Sequence, residues 1–215
     1  MKQEDTKQRI IDKALELFSE RGYDAVGVGE IAAAVGIKAP SLYNHFPSKQ
    51  SIFDAIVETT ALQYEKDTDR IDIHVQSAAA DVPTMLTIDE EELFEKVRQI
   101  FDYSLHNDNI RRFRKMMTIE QFRSPKLAAL YSRRYVERLV EYHAGIFRAL
   151  ISAGEIMAAD PETLAMMYVS PVLTLIGICD RQPERENECL GKLKRHVYLF
   201  YDMVHGGKPN GGENK

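Results

Sequence analysis

The sequence has two cysteines and no long apolar run, and each of these features excludes a class of protein. The two cysteines, Cys179 and Cys189, have neither the number nor the spacing of a disulfide framework or a zinc site. No apolar run approaches the ~20 residues that a membrane-spanning helix requires, and the polar start MKQEDTKQR does not resemble a signal peptide. We therefore expect a cytoplasmic protein that does not act at a membrane and has no bound metal or cofactor.

Strand-like alternation, internal repeats and a nucleotide-binding glycine-rich loop are also missing from the sequence. Apolar residues instead recur at the spacing that is typical of amphipathic helices. A chain of 215 residues suits one large or two small domains, and its apolar pattern predicts an all-α fold. We predict helices at 6–21, 48–71, 89–105, 110–122, 126–153, 160–179 and 184–205, with a loop or a short broken helix at 72–88.

The stretch 27–46, GVGEIAAAVGIKAPSLYNHF, predicts two short helices joined by a sharp turn. Gly36 follows the first helical run, where glycine can adopt the left-handed conformation that often ends a helix. Pro40 falls in the first turn of the second run, where its missing N–H is harmless. This arrangement is typical of the helix-turn-helix of DNA-binding proteins. The inner faces are marked by apolar residues four positions apart: Ile31 with Val35, and Leu42 with Phe46.

The residues SLYNHFPSK resemble the recognition-helix signature of the TetR family of bacterial repressors, in which a Leu-Tyr-x-His-Phe run precedes a short loop and a lysine. EIAAAVGIK resembles that family's turn and LFSERGYDAV the end of its first helix, so the resemblance covers about residues 6–55. It implies a three-helix DNA-binding domain at 1–52 with its helix-turn-helix motif at 27–46. A C-terminal helical bundle for ligand binding and dimerisation would follow at 53–207. The composition of 208–215 predicts a disordered tail.

The second helix of this motif is predicted to have a polar outer face without negative charge. No Asp or Glu occurs from Ile31 to Phe53, although residues 1–50 contain seven Lys or Arg and seven Asp or Glu. The positive charge is therefore local, which argues against general coating of nucleic acids. Lys49 falls in the first turn of the next helix, where a phosphate could meet both the lysine and the helix N–H groups. We expect DNA contacts from Lys38, Ala39, Ser41, Leu42, Tyr43, Asn44, His45 and Lys49.

Side-chain chemistry separates these residues into two roles. Tyr43 and His45 can donate hydrogen bonds to phosphates, whereas Ser41 and the Lys38–Ala39 end are short enough to meet base edges. The alternative is that Tyr43 and His45 cap a corner of a helical bundle. The sequence departs from the family at Gly27, where a Thr or Ser is usual. Because glycine has no hydroxyl, we expect no phosphate contact there.

The resemblance implies a ligand-responsive homodimeric regulator, most often a repressor, and not an enzyme. One helix-turn-helix grips only a few base pairs, so a dimer on a palindromic double-stranded DNA operator is expected. We expect the dimer to form through helices 160–179 and 184–205, because the first is apolar on nearly every side. We place Leu175 and Val197 in that interface.

A small, largely apolar effector is expected in the C-terminal bundle, because methionine and aromatic side chains pack adaptably around lipophilic molecules. The same side chains can equally be ordinary core residues. Effector binding would tilt the helix that starts at Ser48 and so change the separation of the two recognition helices. The candidate lining residues are Phe101, Phe113, Met117, Glu120, Tyr142, His143, Phe147 and Met167.

Other classes of function stay open at this point. The six histidines are scattered without a His-x3-His pair or a nucleophile motif, yet a Glu120/His143 pair could bind a metal or an acidic group in a helical enzyme or a metal-binding bundle. His143 could equally be a hydrogen-bonded histidine of the core or the surface. An architectural DNA-binding protein without an effector is a third class.

The stretch 111–138 is basic, with nine Lys or Arg and two acidic residues. It could form a second DNA-binding surface, or its basic residues could pair with the acidic residues at 89–95.

Overall fold

The computed structural model describes residues 2–122 and 125–206, and these residues form eleven α-helices without a strand. The all-α class predicted from the apolar pattern is therefore confirmed. A π-helical turn at Arg133–Glu137 and a 3₁₀ turn at Pro183–Arg185 are also present. The predicted tail at 208–215 lies outside the described residues. In chain order the helices are α1 Lys2–Arg21, α2 Val28–Val35, α3 Ala39–Tyr43, α4 Lys49–Asp69, α5 Ala78–Met85, α6 Glu90–His106, α7 Asp108–Glu120, α8 Pro125–Ser132, α9 Arg138–Ala153, α10 Pro161–Arg181 and α11 Glu186–Val204.

The chain divides into two compact units of packed helices. The first unit contains Met1–Lys66 and His106–Ser132, and the second contains Asp67–Leu105 and Arg133–Lys215. The first unit therefore includes α7 and α8 together with the helices of the predicted DNA-binding domain. The exact domain limits drawn from the sequence stay a prediction.

The core of the first unit forms where α1 packs against α2 and α7. Apolar side chains three and four positions apart give α1 a continuous buried face. Complete burial of one large apolar side chain contributes about 1.5–3 kcal/mol, so these contacts are the main stabilisation of the unit. The fully buried large side chains are Ile10, Phe18, Ile31, Leu42, Ile52, Phe53, Ile56, Phe113, Met116 and Met117.

The second unit is built around α9, with α5 and α10 packed on it and α11 packed on α10. Its centre is aromatic: the ring centroid of Tyr168 lies 5.8 Å from that of Phe147 and 5.0 Å from that of Phe200. The helices α5 and α9 approach closely at Gly145, where an added Cβ would lie 2.9 Å from the Cβ of Ala78. A side chain at position 145 would therefore push the two helices apart.

Leu175 and Val197 lie in the interior of the second unit, where they are 6% and 0% exposed. The prediction that they belong to a dimer interface is wrong, because both are already covered within one chain. The exposed apolar surface of α10 and α11 is formed by other residues: Met166, Met167, Leu199 and Met203, which are 56%, 47%, 71% and 39% exposed.

One helix in the described ranges, α10, is long and apolar enough to cross a membrane by length and composition alone. It has 21 residues and a mean hydropathy of 1.5 in its most apolar window. The core helix of a soluble protein satisfies the same criteria, and α10 packs against α9 and α11. Packing on these two helices accounts for the buried part of α10, which is 39% of that window.

Two predicted elements differ from the structure. Residues 72–88, predicted as a loop or a broken helix, contain the ordered helix α5, which includes Pro83 and is stabilised by its contact with α9. The predicted helix 126–153 is divided into α8 and α9 by the π-helical turn at Arg133–Glu137. Such a turn inserts a residue into the helical register, so the apolar positions on its two sides no longer share one face.

Candidate nucleic-acid interface

The helix-turn-helix is formed by α2 and α3 with a turn at Gly36. Gly36 has a φ of 80°, in the left-handed region, and its N–H donates to the carbonyl oxygen of Ala33 at 3.0 Å. The N–H of Ile37 donates to the carbonyl oxygen of Ala32 at 2.9 Å. Together the two bonds close the C-terminal end of α2 and turn the chain sharply into α3. Pro40 lies in the first turn of α3, as predicted.

The five-residue helix α3 has one buried and one exposed face. Leu42 is 0% exposed, so the prediction that it contacts DNA is wrong: its side chain belongs to the core of the first unit. Tyr43 is 52% exposed, and Lys38, Ser41 and Asn44 are also exposed. Ala39 and His45 are partly buried. The exposed set carries one lysine and no carboxylate, in keeping with the sequence prediction of a local positive charge.

The start of α2 is held by a carboxylate, since Gly27 has no side chain to cap it. Glu30 accepts a hydrogen bond from the N–H of Gly27 at 2.7 Å and one from the guanidinium of Arg21 at 2.7 Å. The bond from Gly27, together with that from Arg21, lowers the pKa of Glu30. Arg21 also donates to the carbonyl oxygen of Ala25 at 3.0 Å. These bonds hold the start of α2 without a side chain at position 27.

Lys49, in the first turn of α4, contacts the loop that precedes α2. Its Nζ donates to the carbonyl oxygens of Tyr23 and Val26 at 2.7 and 2.9 Å, and it lies 4.2 Å from the centroid of the Tyr23 ring. An ammonium group has three N–H donors, so one donor is left for a phosphate. Lys49 therefore has a structural role that the sequence did not indicate.

A buried carboxylate connects α7 with the same loop. Glu120 is 1% exposed, and its Oε1 accepts a hydrogen bond from the backbone N–H of Tyr23 at 2.8 Å. The Tyr23 ring packs between Phe18 and Phe53, with centroids 5.2 and 5.4 Å away. A buried carboxylate is costly unless it is hydrogen-bonded, so this contact fixes α7 against the entrance to the helix-turn-helix.

Sequence reasoning missed two basic residues of α1 that lie beside the motif. Lys7 Nζ is 5.4 Å from the centroid of the Phe46 ring, just beyond α3. Arg9 donates to the carbonyl oxygen of Val35 at 2.6 Å, at the end of α2. Both contacts join residues far apart in the chain, and no local pattern signals them.

The eight predicted ligand residues are divided between the two units. Phe113, Met117 and Glu120 lie in the first unit, where their side chains are buried. Met167 is 47% exposed on α10. The remaining four belong to the second unit: Phe101, Tyr142, His143 and Phe147.

Glu120 and His143, proposed as a pair, lie in different units, and their pairing stays a prediction. Glu120 is bonded to Tyr23 in the first unit. In the second unit the Nδ1 of His143 lies 2.8 Å from the carbonyl oxygen of Leu139, and burial lowers the pKa of His143 to about 4. Within 2–122 and 125–206 no group of three His, Cys, Asp or Glu side chains is arranged to hold a metal ion.

Comparison with known sequences supports the N-terminal motif. Residues 10–56 match the family model described as bacterial regulatory proteins, tetR family. The biofilm operon icaADBC HTH-type negative transcriptional regulator IcaR of Staphylococcus aureus is 52% identical over 52 residues, 24% of this chain. The Staphylococcus epidermidis IcaR is 46% identical over the same length. The match spans 28% of the length of these relatives, so it concerns the DNA-binding domain alone.

Comparison with solved structures extends over most of the chain. SmeT, the repressor of the Stenotrophomonas maltophilia multidrug efflux pump SmeDEF, is 25% identical, with a TM-score of 0.59 over 92% of this chain and 87% of SmeT. A SmeT–triclosan complex gives a TM-score of 0.64 at 24% identity, over 93% of this chain and 89% of that one. A TetR transcription regulator from Haloarcula marismortui gives a TM-score of 0.68 at 12% identity, over 94% of this chain and 98% of the regulator. Residues 10–56 are therefore similar to the N-terminal domain of the tetR family of bacterial regulatory proteins, as the SLYNHF and EIAAAVGIK motifs predict, and the chain shares its fold with solved regulators of that family.

Proposed function

We propose that this protein is a ligand-responsive, homodimeric transcriptional regulator, acting as a repressor in the cytoplasm. The observation that carries the proposal is the exposed, acid-free face of α3 on a rigidly held helix-turn-helix. IcaR, which shares the N-terminal domain, is a negative transcriptional regulator by its name, and SmeT is a repressor. Repression by this chain follows if α3 occupies the major groove of an operator.

The proposed contacts divide between phosphates and bases. Tyr43, His45 and the remaining N–H of Lys49 are assigned to phosphates, and Lys7 is added to them because it lies beside α3. Exposed Lys38, Ser41 and Asn44, with the partly buried Ala39, are assigned to base edges. Phosphate contacts fix orientation, whereas base contacts provide sequence preference.

Dimerisation is proposed through the exposed apolar side chains of α10 and α11. Met166, Met167, Leu199 and Met203 would be buried by a second copy, which accounts for large apolar groups on two adjacent helices. A two-fold dimer presents two copies of α3 to a palindromic operator.

An effector is proposed to bind in the second unit and to release DNA. The structure of a SmeT–triclosan complex supports the idea that this fold can hold a small molecule. A ligand can weaken operator binding only if it favours the conformation that does not bind DNA. A typical coupling of about 1–3 kcal/mol corresponds to a 5- to 150-fold loss of operator affinity.

Selection of binding sites from random double-stranded DNA tests the proposal directly. We expect a palindromic consensus whose half-sites are separated by about one DNA turn, ~34–36 Å, or a simple multiple. The absence of any enriched sequence, or a consensus without two-fold symmetry, would contradict it. The selected operator then serves as the probe in all later affinity measurements.

A further inference from the structure

The aromatic centre of the second unit contains a tyrosine hydroxyl that has no hydrogen-bond partner among the described residues. Tyr168, on α10, is 6% exposed, and its Oη makes no hydrogen bond with any described residue. Every described side-chain nitrogen or oxygen that is sealed from solvent does have a partner. The Tyr168 hydroxyl must therefore border a space that a small molecule such as water can reach.

A histidine nitrogen beside this hydroxyl also has no hydrogen-bond partner among the described residues. The Nδ1 of His143 lies 2.8 Å from the carbonyl oxygen of Leu139. A carbonyl can only accept, so Nδ1 carries the proton and Nε2 presents a lone pair. His143 Nε2 makes no hydrogen bond within the described chain, and the side chain is partly accessible. The ring centroids of His143 and Tyr168 are 5.1 Å apart, so an acceptor and a donor lie side by side.

The two groups are neutral at physiological pH. Burial lowers the pKa of His143 to about 4, and burial also raises the pKa of the Tyr168 hydroxyl. An anionic ligand would face the lone pair of a neutral imidazole. A cationic ligand would lose its hydration, and the Asp81 carboxylate on the Tyr142 hydroxyl is already hydrogen-bonded to Tyr142 and His74. A neutral ligand is therefore favoured.

The walls around these groups are aromatic. The ring of Tyr142 lies edge-on to His143 with centroids 4.9 Å apart. Phe147 and Phe200 lie 5.8 and 5.0 Å from Tyr168. Aromatic rings favour edge-to-face contacts with a further ring at such distances. The surroundings therefore select a flat aromatic body attached to the polar group.

We propose that His143 and Tyr168 form a binding site for a neutral phenol, which would be the effector of the regulator proposed above and so rests on that function. The phenol hydroxyl donates to His143 Nε2 and accepts from the Tyr168 hydroxyl. One hydroxyl thereby satisfies both unpartnered atoms, and its ring packs against the aromatic walls.

Calorimetric titration of the full chain without DNA tests the ligand class. The probes are phenol, 4-ethylphenol and 2-naphthol, each paired with its methyl ether. We expect at least one phenol to bind, and its ether to bind about tenfold more weakly because the ether cannot donate to His143. Binding by none of the three phenols, or equal binding of each ether, overturns the proposal.

Tyr168→Phe tests the residue assignment. The affinity for the binding phenol should fall about tenfold. The melting temperature without ligand should stay the same or rise, because the hydroxyl has no partner to lose. Tyr201→Phe is the matched control, since the Tyr201 hydroxyl donates to the carbonyl oxygen of Ile88 at 3.2 Å. The Tyr201→Phe variant should bind the phenol with unchanged affinity and have a lower melting temperature than the native chain. Unchanged phenol affinity in Tyr168→Phe, or a melting loss like that of the control, removes Tyr168 from the site.

Operator binding is measured separately, so the two proposals fail separately. The selected operator is titrated with protein in the presence and absence of the binding phenol. Phenol binding that leaves operator affinity unchanged supports the site and contradicts the ligand switch. Phenol binding by a protein that selects no operator supports the site and contradicts the regulator.

Discussion

Single side chains stabilise the loop that leads into the helix-turn-helix. Lys49 reaches back 26 residues to the Tyr23 carbonyl, and Glu120 reaches back 97 residues to the Tyr23 N–H. Tyr23 is thus held at both of its backbone polar groups by ionisable side chains. The lysine has a further N–H for a phosphate, so one residue could contribute both to folding and to DNA binding.

Substitution of Lys49 by Ala should therefore have two separable effects. The melting temperature should fall, because the hydrogen bonds from Lys49 to two carbonyl oxygens are lost. Operator affinity should also fall, and the slope of log K against log salt should decrease by about 0.9, the value for one phosphate contact. Tyr43→Phe is the companion variant: it should lower affinity for all sequences with little effect on melting. A lower melting temperature with an unchanged salt slope would restrict Lys49 to its structural role.

In the second unit a buried carboxylate organises the segment before α5. Asp81 is 2% exposed and accepts hydrogen bonds from the backbone N–H of His74 at 2.9 Å and from the Tyr142 hydroxyl. The Nδ1 of His74 lies 2.6 Å from Oδ1 of the same carboxylate. Burial alone would raise the pKa of Asp81, but the bonds from Tyr142 and His74 outweigh it and lower the pKa. The bond to Asp81, with the nearby charges of Asp72 and Asp69, raises the pKa of His74.

The signs of these shifts predict the pH dependence of stability. The contribution of His74 is complete below its ordinary pKa of 6.5 and is lost as pH rises through the raised value. That of Asp81 is present above its ordinary pKa of 3.8 and is lost as pH falls through the lowered value. The difference in urea midpoint between the native chain and His74→Gln should therefore be largest between these pKa values and shrink above pH 6.5.

Asp81→Asn provides the control for this pH effect. It should destabilise the chain by about 1–3 kcal/mol near neutral pH, because buried hydrogen bonds to a charged group are lost. In the Asp81→Asn background, the pH-dependent effect of His74→Gln should become smaller, because only the charges of Asp72 and Asp69 still raise the pKa of His74. An effect of undiminished size without Asp81 would assign the titration to another partner.

At the scale of elements, the contact between α5 and α9 depends on one glycine. A Cβ at Gly145 would approach the Ala78 Cβ to 2.9 Å, a distance that real Cβ atoms do not adopt. Gly145→Ala should therefore destabilise the chain by about 1–3 kcal/mol in urea unfolding, despite the better helix propensity of alanine. Adding Ala78→Gly should recover much of this loss.

Gly29, in α2, is the matched control for this substitution. An added Cβ meets nothing within 4 Å there, so Gly29→Ala should be neutral or stabilise the chain by up to about 1 kcal/mol. Equal effects of Ala at positions 29 and 145 would show that the close approach does not limit packing.

Sequence periodicity predicted most helices because each has a local apolar pattern. The helix α1 repeats buried side chains at Ile10, Ala14 and Phe18, and the turn at Gly36 follows from a residue-specific backbone preference. The helix α5 was predicted only as a loop or a short broken helix, because its alanines carry no periodic signal and it packs against α9. The π-helical turn at Arg133–Glu137 likewise has no local signature.

The outward face of α3 was predictable because the spacing of its apolar residues marks the opposite, buried face. Leu42 and Phe46 mark the buried face, and the side chains between them necessarily point elsewhere. The predicted ligand set is divided between the two units, because helical spacing identifies a buried residue but not the unit in which it is buried. Phe113 and Met117 therefore looked equivalent to Phe147, although they pack in different units.

For the whole molecule, the proposed dimer would determine how strongly an operator is bound. The chain has a formal net charge of −5, so bulk attraction to DNA is weak and the local face of α3 must provide the contacts. One such face covers few base pairs. Joining two faces makes the second contact intramolecular, which can strengthen binding by about 10²–10⁴-fold.

Met166→Glu and Leu199→Glu test this assembly. Both side chains are largely exposed, at 56% and 71%, so the variants should keep the helical circular dichroism of the native chain. In a dimer each glutamate would place an unpaired charge in an apolar interface. Sedimentation should therefore show monomers, and operator affinity should fall by at least about 100-fold because only one half-site is held. Leu62→Glu, at a position that is 51% exposed on α4, is the control and should remain dimeric. If Met166→Glu and Leu199→Glu both sediment as dimers, the interface lies on another surface and the exposed residues of α10 and α11 require a different partner.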